Sequence, residues 1–140
     1  MFPAEWAPQG AMWTAFPSDP ALWEADLLPA RAEVAALVKA LARSVPVRLL
    51  ASGAEAAAAA RAAAGDAAEV IQMPFGDIWL RDTGPVFLSA TRAVAFHFNG
   101  WGGKYDLPGD SDLADRMAAK AGAALTRFDL RFEGGALDVD

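Results

Sequence analysis

The 140-residue sequence has no cysteine, one histidine, and 12 basic residues against 18 acidic ones. Without a thiol, these residues form neither a disulfide nor a cysteine nucleophile. The net charge of −6 and the lack of a Lys/Arg cluster argue against a nucleic-acid partner, since phosphate binding needs clustered positive charge. No run of apolar residues is long enough to span a bilayer. The N-terminus lacks the basic start and apolar run of a signal peptide, so we expect a cytoplasmic protein.

Strand-like and helical patterns alternate along the chain, which indicates an α/β fold. The length corresponds to one ordinary domain. Val34, Leu37, Val38 and Leu41 recur at helical spacing and should face a sheet, while Arg31, Glu33, Lys39 and Arg43 should face away from it. Pro29 should mark a restart before this helix, and Ser18 or Asp19 should cap an earlier one. Strands are predicted over 11–16, 45–50, 70–73, 86–88, 94–98, 127–132 and 136–139, and helices over 30–43, 54–64 and 112–121.

His97 lies in the predicted strand 94–98. No suitable companion on the same face of this strand is visible in the sequence. We therefore expect an ordinary strand histidine and no metal site.

Residues 77–85 place two carboxylates, an arginine and an indole between apolar residues. A carboxylate in apolar surroundings must be paired or hydrogen-bonded. Arg81 could pair with one carboxylate and leave the other for a cationic ligand. Trp79 and Asp82 can converge in a turning loop, where an indole face and a carboxylate together suit a planar cation such as guanidinium. The alternative is a strand that enters a turn, with Trp79 in the core and Arg81 and Asp82 as a surface pair.

Five segments occur in an order typical of one enzyme family: Pro3-Ala4-Glu5-Trp6, Phe16-Pro17, residues 77–85, Phe98-Asn99-Gly100-Trp101-Gly102-Gly103-Lys104-Tyr105 and Glu133-Gly134-Gly135-Ala136. Over essentially its whole length the chain resembles the agmatine deiminase and bacterial peptidyl-arginine deiminase family, of the guanidine-modifying (pentein) superfamily. This resemblance implies a five-bladed α/β propeller built from strand-strand-helix-strand repeats. The 140 residues would cover roughly its first two blades.

The resemblance is to the N-terminal part of a single deiminase domain. Family members continue to a His-x-Asp motif and a late cysteine, whereas this sequence stops at Asp140. We therefore expect a truncated chain that is inactive alone, because it lacks the thiol nucleophile. A ring cut after about two blades would also expose strand edges, which favours association into homo-oligomers.

The resemblance implies a role for four residues. Asp82 matches the carboxylate that holds one edge of the guanidinium, and Trp79 matches the tryptophan that lines the pocket. Glu133 matches the catalytic carboxylate that orients the histidine, although it could also be a surface residue beside a hairpin. Trp101 would contact the substrate if the loop 99–105 forms a wall of the channel, or lie in a simple flexible turn. No metal or cofactor is implied.

The favoured function is that of an agmatine deiminase, which converts agmatine and water into N-carbamoylputrescine and ammonia for polyamine synthesis. A peptidyl-arginine deiminase is the close alternative, and the missing export signal favours agmatine. A non-catalytic fragment or guanidine-binding module is the other class. In the complete enzyme, Asp82→Asn is expected to leave the fold intact and to remove one charge-assisted contact, costing about 3 kcal/mol or more in transition-state stabilisation.

Overall fold

The computed structural model describes residues 3–4 and 6–138, which form two compact units. The first, here called the parallel unit, is Gln9–Ile78. The second, here called the mixed unit, is Trp79–Asp140 together with Met1–Pro8. Each unit contains one three-stranded sheet, so the α/β class predicted from the sequence is confirmed.

The parallel unit is a βαβαβ arrangement. Its sheet has the order β1-β2-β3, and both strand pairs are parallel. The core joins Phe16, Val38 and Leu49 to the small side chains of α3. Its elements are β1 (Met12–Ala15), α1 (Pro20–Trp23), a 3-10 turn (Glu24–Asp26), α2 (Leu27–Leu41), β2 (Val47–Ala51), α3 (Ala54–Ala64), a 3-10 turn (Gly65–Ala67) and β3 (Glu69–Gln72).

Local sequence signals place most of these boundaries. The alanine-rich helix α3 begins after Gly53 and ends before Gly65, as predicted. Asp19 caps α1, because its Oδ1 accepts a hydrogen bond from the Ala21 N–H at 2.8 Å. Ser18 instead donates to the Phe16 carbonyl. The helix α2 begins at Leu27 and contains Pro29 in its first turn, where a missing N–H costs no helical hydrogen bond.

The predicted core-facing side of α2 is confirmed for Val34, Val38 and Leu41, which pack in or against the core. It is wrong for Leu37 and Arg31. Arg31 is only 8% exposed, whereas Leu37 is 50% exposed. Arg31 is tolerated there because its guanidinium makes two hydrogen bonds to the Glu55 carboxylate, at 2.8 and 2.9 Å, and its Nε donates to the Pro17 carbonyl. It also lies over the Phe16 ring, 5.2 Å from the centroid. Arg31, Ala35 and Val38 therefore form the buried stripe.

The mixed unit has the strand-strand-helix-strand order β4, β5, α6, β6. Its sheet pairs β4 with β5 antiparallel and β5 with β6 parallel. The helix α6 buries Leu113, Ala114, Met117 and Ala118, and Arg116 pairs with Asp112 as predicted. The elements are α4 (Leu80–Thr83), β4 (Val86–Ser89), β5 (Arg92–His97), α5 (Gly100–Gly103), α6 (Leu113–Ala121), β6 (Ala124–Arg131) and a 3-10 turn (Gly134–Ala136).

The final strand predicted over 136–139 is wrong for residues 136–138, and Val139 lies outside the described residues. The chain turns here instead of extending. The Ala136 N–H donates to the Glu133 carbonyl at 3.0 Å, and the Leu137 N–H donates to the Gly134 carbonyl at 3.1 Å. These local hydrogen bonds close a 3-10 turn.

His97 is half exposed, and its Nε2 lies 3.3 Å from Oδ1 of the exposed Asp129. Within residues 3–4 and 6–138, no three His, Cys, Asp or Glu side chains are grouped so as to hold a metal ion. None of the helices in the described part of the chain combines the length and the apolar character needed to cross a bilayer.

Candidate active site

Trp79 and Asp82 lie on one helical turn at the start of the mixed unit. The Trp79 carbonyl accepts hydrogen bonds from the backbone N–H groups of Asp82, at 3.0 Å, and Thr83, at 3.2 Å. The Thr83 hydroxyl donates to the same carbonyl at 3.1 Å. Trp79 is 56% exposed, so the alternative of a strand with Trp79 in the core is wrong.

Asp82 is half buried, and each of its carboxylate oxygens accepts one hydrogen bond. The backbone N–H of Gly135 donates to Oδ1 at 2.8 Å. The indole N–H of Trp101 donates to Oδ2 at 3.0 Å. A carboxylate offers about four lone-pair positions, so two remain for a ligand after these bonds. The structure thus brings Asp82 and Trp101, predicted separately, into direct contact.

The Gly134-Gly135 turn packs directly against α4. A Cβ atom on Gly134 would lie 2.2 Å from the Arg81 carbonyl oxygen, and one on Gly135 would lie 2.4 Å from Asp82 Oδ1. Real Cβ contacts are longer, so Gly134 cannot carry a side chain unless the backbone shifts, and a side chain at Gly135 would displace the Asp82 carboxylate. Because this turn is a 3-10 turn held on α4, the interpretation of Glu133 as a hairpin-flanking residue does not apply.

Glu133 begins the turn in an extended conformation and is half buried. Its backbone carbonyl accepts the Ala136 N–H. No described residue donates a hydrogen bond to its carboxylate, which leaves that group available. The bond between Gly135 and Asp82 ties the turn that carries Glu133 to the same helical turn as Asp82. The catalytic role of Glu133 stays a prediction.

The loop 99–105 is a closed turn rather than an open one. Asn99 Oδ1 accepts the Gly102 N–H at 2.9 Å, and the Gly100 carbonyl accepts the Tyr105 N–H at 3.0 Å. Gly100 has a φ of +66°, and a Cβ there would lie 2.1 Å from the Tyr105 carbonyl oxygen. The Trp101 ring meets Phe98 and Tyr105 edge to face. These contacts fix the direction of the Trp101 indole.

Arg81 donates to the Leu137 carbonyl at 3.0 Å, which is a contact within the fold. The alternative of Arg81 and Asp82 as a surface pair is wrong, because in the described residues Arg81 donates to the Leu137 carbonyl and Asp82 accepts from Gly135 and Trp101. Asp77 Oδ1 accepts the Ile78 N–H at 2.8 Å. A pairing between Arg81 and Asp77 stays a prediction.

A cavity of about 310 Å³ borders the loop 99–105. It is lined by Phe98, Asn99, Gly100, Gly103, Tyr105, Asp106, Leu107, Asp110 and Ser111. None of the four predicted site residues lines it. The candidate site at Asp82 is therefore distinct from this cavity. It is proposed from the hydrogen bonds of the carboxylate and not from the volume of a pocket.

Comparison with known proteins identifies the family. The family model of the Porphyromonas-type peptidyl-arginine deiminases matches residues 1–140. An agmatine deiminase of Stutzerimonas stutzeri is 39% identical over 149 residues, covering 99% of this chain and 40% of the relative. One of Pseudomonas putida is 39% identical over 105 residues, covering 72% of this chain and 28% of the relative.

The solved structure of the Enterococcus faecalis agmatine deiminase resembles this chain with a TM-score of 0.89 and 26% identity. The match covers 99% of this chain and 40% of that one. The chain thus spans about 40% of the length of the relatives that it matches end to end. On the match of the family model across residues 1–140, the chain belongs to the Porphyromonas-type peptidyl-arginine deiminase family.

Proposed function

We propose that these residues supply the Asp82 side of a guanidinium-binding site, and that the protein containing them is a deiminase acting on agmatine. The proposal rests on one observation: two donors orient the Asp82 carboxylate and leave about two of its acceptor positions for a ligand. A guanidinium presents N–H donors in a planar fork, which matches a carboxylate held in a fixed plane. The exposed Trp79 ring on the same helical turn offers a face for stacking.

Deimination replaces one guanidinium nitrogen by oxygen and releases ammonia. Guanidinium is a poor electrophile because its charge is delocalised, so the enzyme must hold it rigidly and stabilise charge at its edges. Asp82 would bind one edge, and Trp79 would line the pocket. Glu133 would orient a histidine that protonates the departing ammonia and then activates water. The chain has no cysteine, so the thiolate that attacks the guanidinium carbon would come from outside these residues.

Agmatine is proposed as the substrate because the relatives at 39% identity are named agmatine deiminases. The products would be N-carbamoylputrescine and ammonia, as in polyamine synthesis. A cytoplasmic location is proposed together with this activity. The name of the matched family keeps peptidyl-arginine as the second candidate. A guanidine-binding module without chemistry is the third. Reading the coding sequence beyond the Asp140 codon tests these candidates. A His-x-Asp motif and a cysteine there would favour one of the two deiminases over a guanidine-binding module without chemistry.

The 140 residues are proposed as the N-terminal part of one deiminase domain with a five-bladed propeller fold. In support, the mixed unit has the strand-strand-helix-strand order expected of one blade. The parallel unit departs from that order, because a helix also separates its first two strands. Homo-oligomer formation through exposed strand edges remains part of the proposal.

Binding of agmatine to the chain tests the site. Isothermal titration should show binding that Asp82→Ala abolishes. Asp66→Ala removes one charge from an exposed position of the parallel unit and should leave the affinity unchanged, which controls for net charge. N-acetylarginine amide, titrated in parallel, separates a preference for agmatine from one for peptidyl-arginine. Equal affinity of wild type and Asp82→Ala would reject the site.

A further inference from the structure

Trp101 has a backbone conformation that non-glycine residues seldom adopt. Its φ of 53° and ψ of 55° lie in the left-handed region, where a side chain is disfavoured. Such a conformation persists only where the surrounding structure enforces it, and it is found preferentially at functional sites. Here the Asn99 cap and the close approach of Gly100 to Tyr105 enforce it. The result is an indole N–H that meets Asp82 Oδ2 at 3.0 Å.

We infer that Trp101 is a positioning residue for Asp82 and not a wall of the substrate pocket. The indole has one polar atom, its N–H, and the bond to Asp82 uses it. The ring meets Phe98 and Tyr105 edge to face, with centroids 4.8 and 6.0 Å apart. This inference rests on the proposed function of Asp82 and changes the role that the sequence predicted for Trp101.

The physical reason lies in the rotation of the carboxylate. A free carboxylate turns easily about its terminal bond, but a bidentate contact with guanidinium requires both oxygens in the plane of the fork. One donor on each oxygen, Gly135 on Oδ1 and Trp101 on Oδ2, fixes that plane before the ligand arrives. If one of these two donors is lost, the Asp82 carboxylate can rotate, and its immobilisation becomes part of the cost of binding the ligand. Immobilising one side chain costs enough to weaken binding about two- to tenfold.

Variants of Trp101 separate the N–H donor from the ring. Trp101→Phe keeps an aromatic ring and removes the donor. Trp101→His keeps a five-membered ring whose Nε2 occupies the place of the indole nitrogen, and at pH 8 a free imidazole is neutral. Phe128→Leu is the matched control, because it removes an aromatic contact of the same unit, the stacking of Phe128 on Phe96, and leaves the two rings that contact Trp101 unchanged. Melting temperatures measure the structural effect of each change.

The probe is methylguanidinium, with methylammonium as a ligand of equal charge that lacks the planar fork. Trp101→Phe should weaken methylguanidinium binding about two- to tenfold, and Trp101→His should recover most of the loss. Phe128→Leu should leave methylguanidinium binding close to wild type, whatever its effect on the melting temperature. Independently, the Trp101 indole N–H signal in a nitrogen-15 NMR spectrum should move and exchange faster with solvent in Asp82→Ala.

The outcomes are distinguishable. If Trp101→Phe binds as tightly as wild type, or Phe128→Leu weakens binding as much as Trp101→Phe, the positioning role is refuted while the site at Asp82 stands. An indole signal unaffected by Asp82→Ala refutes the hydrogen bond itself. If wild type does not bind methylguanidinium, both the proposed function and this inference are refuted.

Discussion

Asp82→Asn is the most informative single substitution in this chain. On sequence grounds it should leave the fold intact, because asparagine has nearly the same shape as aspartate. In the structure, however, both Asp82 oxygens accept hydrogen bonds from N–H donors. An asparagine can offer its oxygen to only one of them. Its NH₂ group must then face the other donor, either the Gly135 N–H or the Trp101 indole.

The size of the effect follows from these two bonds. Each hydrogen bond to a charged acceptor contributes about 1.5–3 kcal/mol, and the neutral bond that remains contributes about 0.5–1.5 kcal/mol. Asp82 is half buried, so water weakens both figures and the low end applies. We expect Asp82→Asn to lower the free energy of unfolding of the mixed unit by about 2 kcal/mol. Asp82→Ala should have a cost of similar size, since it loses both bonds but places no NH₂ group against an N–H donor.

Urea denaturation of wild type, Asp82→Asn and Asp82→Ala measures these differences, with Asp66→Asn as the control for lost charge. Hydrogen exchange at the Gly135 amide gives the local reading. Faster exchange at Gly135 in Asp82→Asn is the expected signature. Wild-type stability together with wild-type exchange at Gly135 would refute the assignment of both donors to this carboxylate. It would also restore the expectation from the sequence.

Three further predictions concern other features of the chain. Incubated with agmatine, the 140-residue chain should release no ammonia and form no carbamoylputrescine, because it has no thiol nucleophile; turnover above a buffer control would contradict the mechanism. Gly134→Ala should lower the free energy of unfolding by about 1–3 kcal/mol, because its Cβ would lie 2.2 Å from the Arg81 carbonyl oxygen, whereas Gly10→Ala, with open space around it, should not. The hydrogen bond from Arg31 lowers the pKa of Glu55, so this pair stabilises the fold above the ordinary pKa of glutamate and the contribution is lost as the pH falls through the lowered value. Melting temperatures of wild type should therefore fall towards those of Glu55→Gln on acidification, and a constant difference between pH 3 and pH 6 would contradict this.

Local sequence patterns predicted the parts of the fold that depend on local forces. The alanine tract between Gly53 and Gly65 and the Asp19 cap each involve residues close together in the chain. Arg31 could not be placed correctly, because its burial depends on Glu55, 24 residues away. The end of the chain near Ala136 was predicted as a strand because the apolar pattern says nothing about the contact of Gly134 with α4.

The same limit applies to the site. The sequence identified Asp82, Trp101 and the Glu133-Gly134-Gly135 turn as separate features. The bonds that join them span 19 residues, from Trp101 to Asp82, and 53 residues, from Gly135 to Asp82. A signal was present in both partners, since a tryptophan among glycines and a Gly-Gly pair each suggest a close approach of backbone. Neither pattern, however, predicts that Asp82 is the residue that Trp101 and Gly135 contact.

The buried arginine that the sequence misplaced supports the interpretation of Asp82. The Arg31 guanidinium shows how this chain satisfies such a group, with a carboxylate at its terminal nitrogens, an aromatic ring beneath it and a carbonyl at Nε. Asp82 and the exposed Trp79 provide the first two of these kinds of group on one helical turn. The difference is that Glu55 keeps its oxygens for Arg31, whereas Asp82 is oriented by neutral N–H donors, which do not neutralise its charge. A carboxylate oriented in this way retains its attraction for a cation from solution, which is what a binding site for a guanidinium substrate requires.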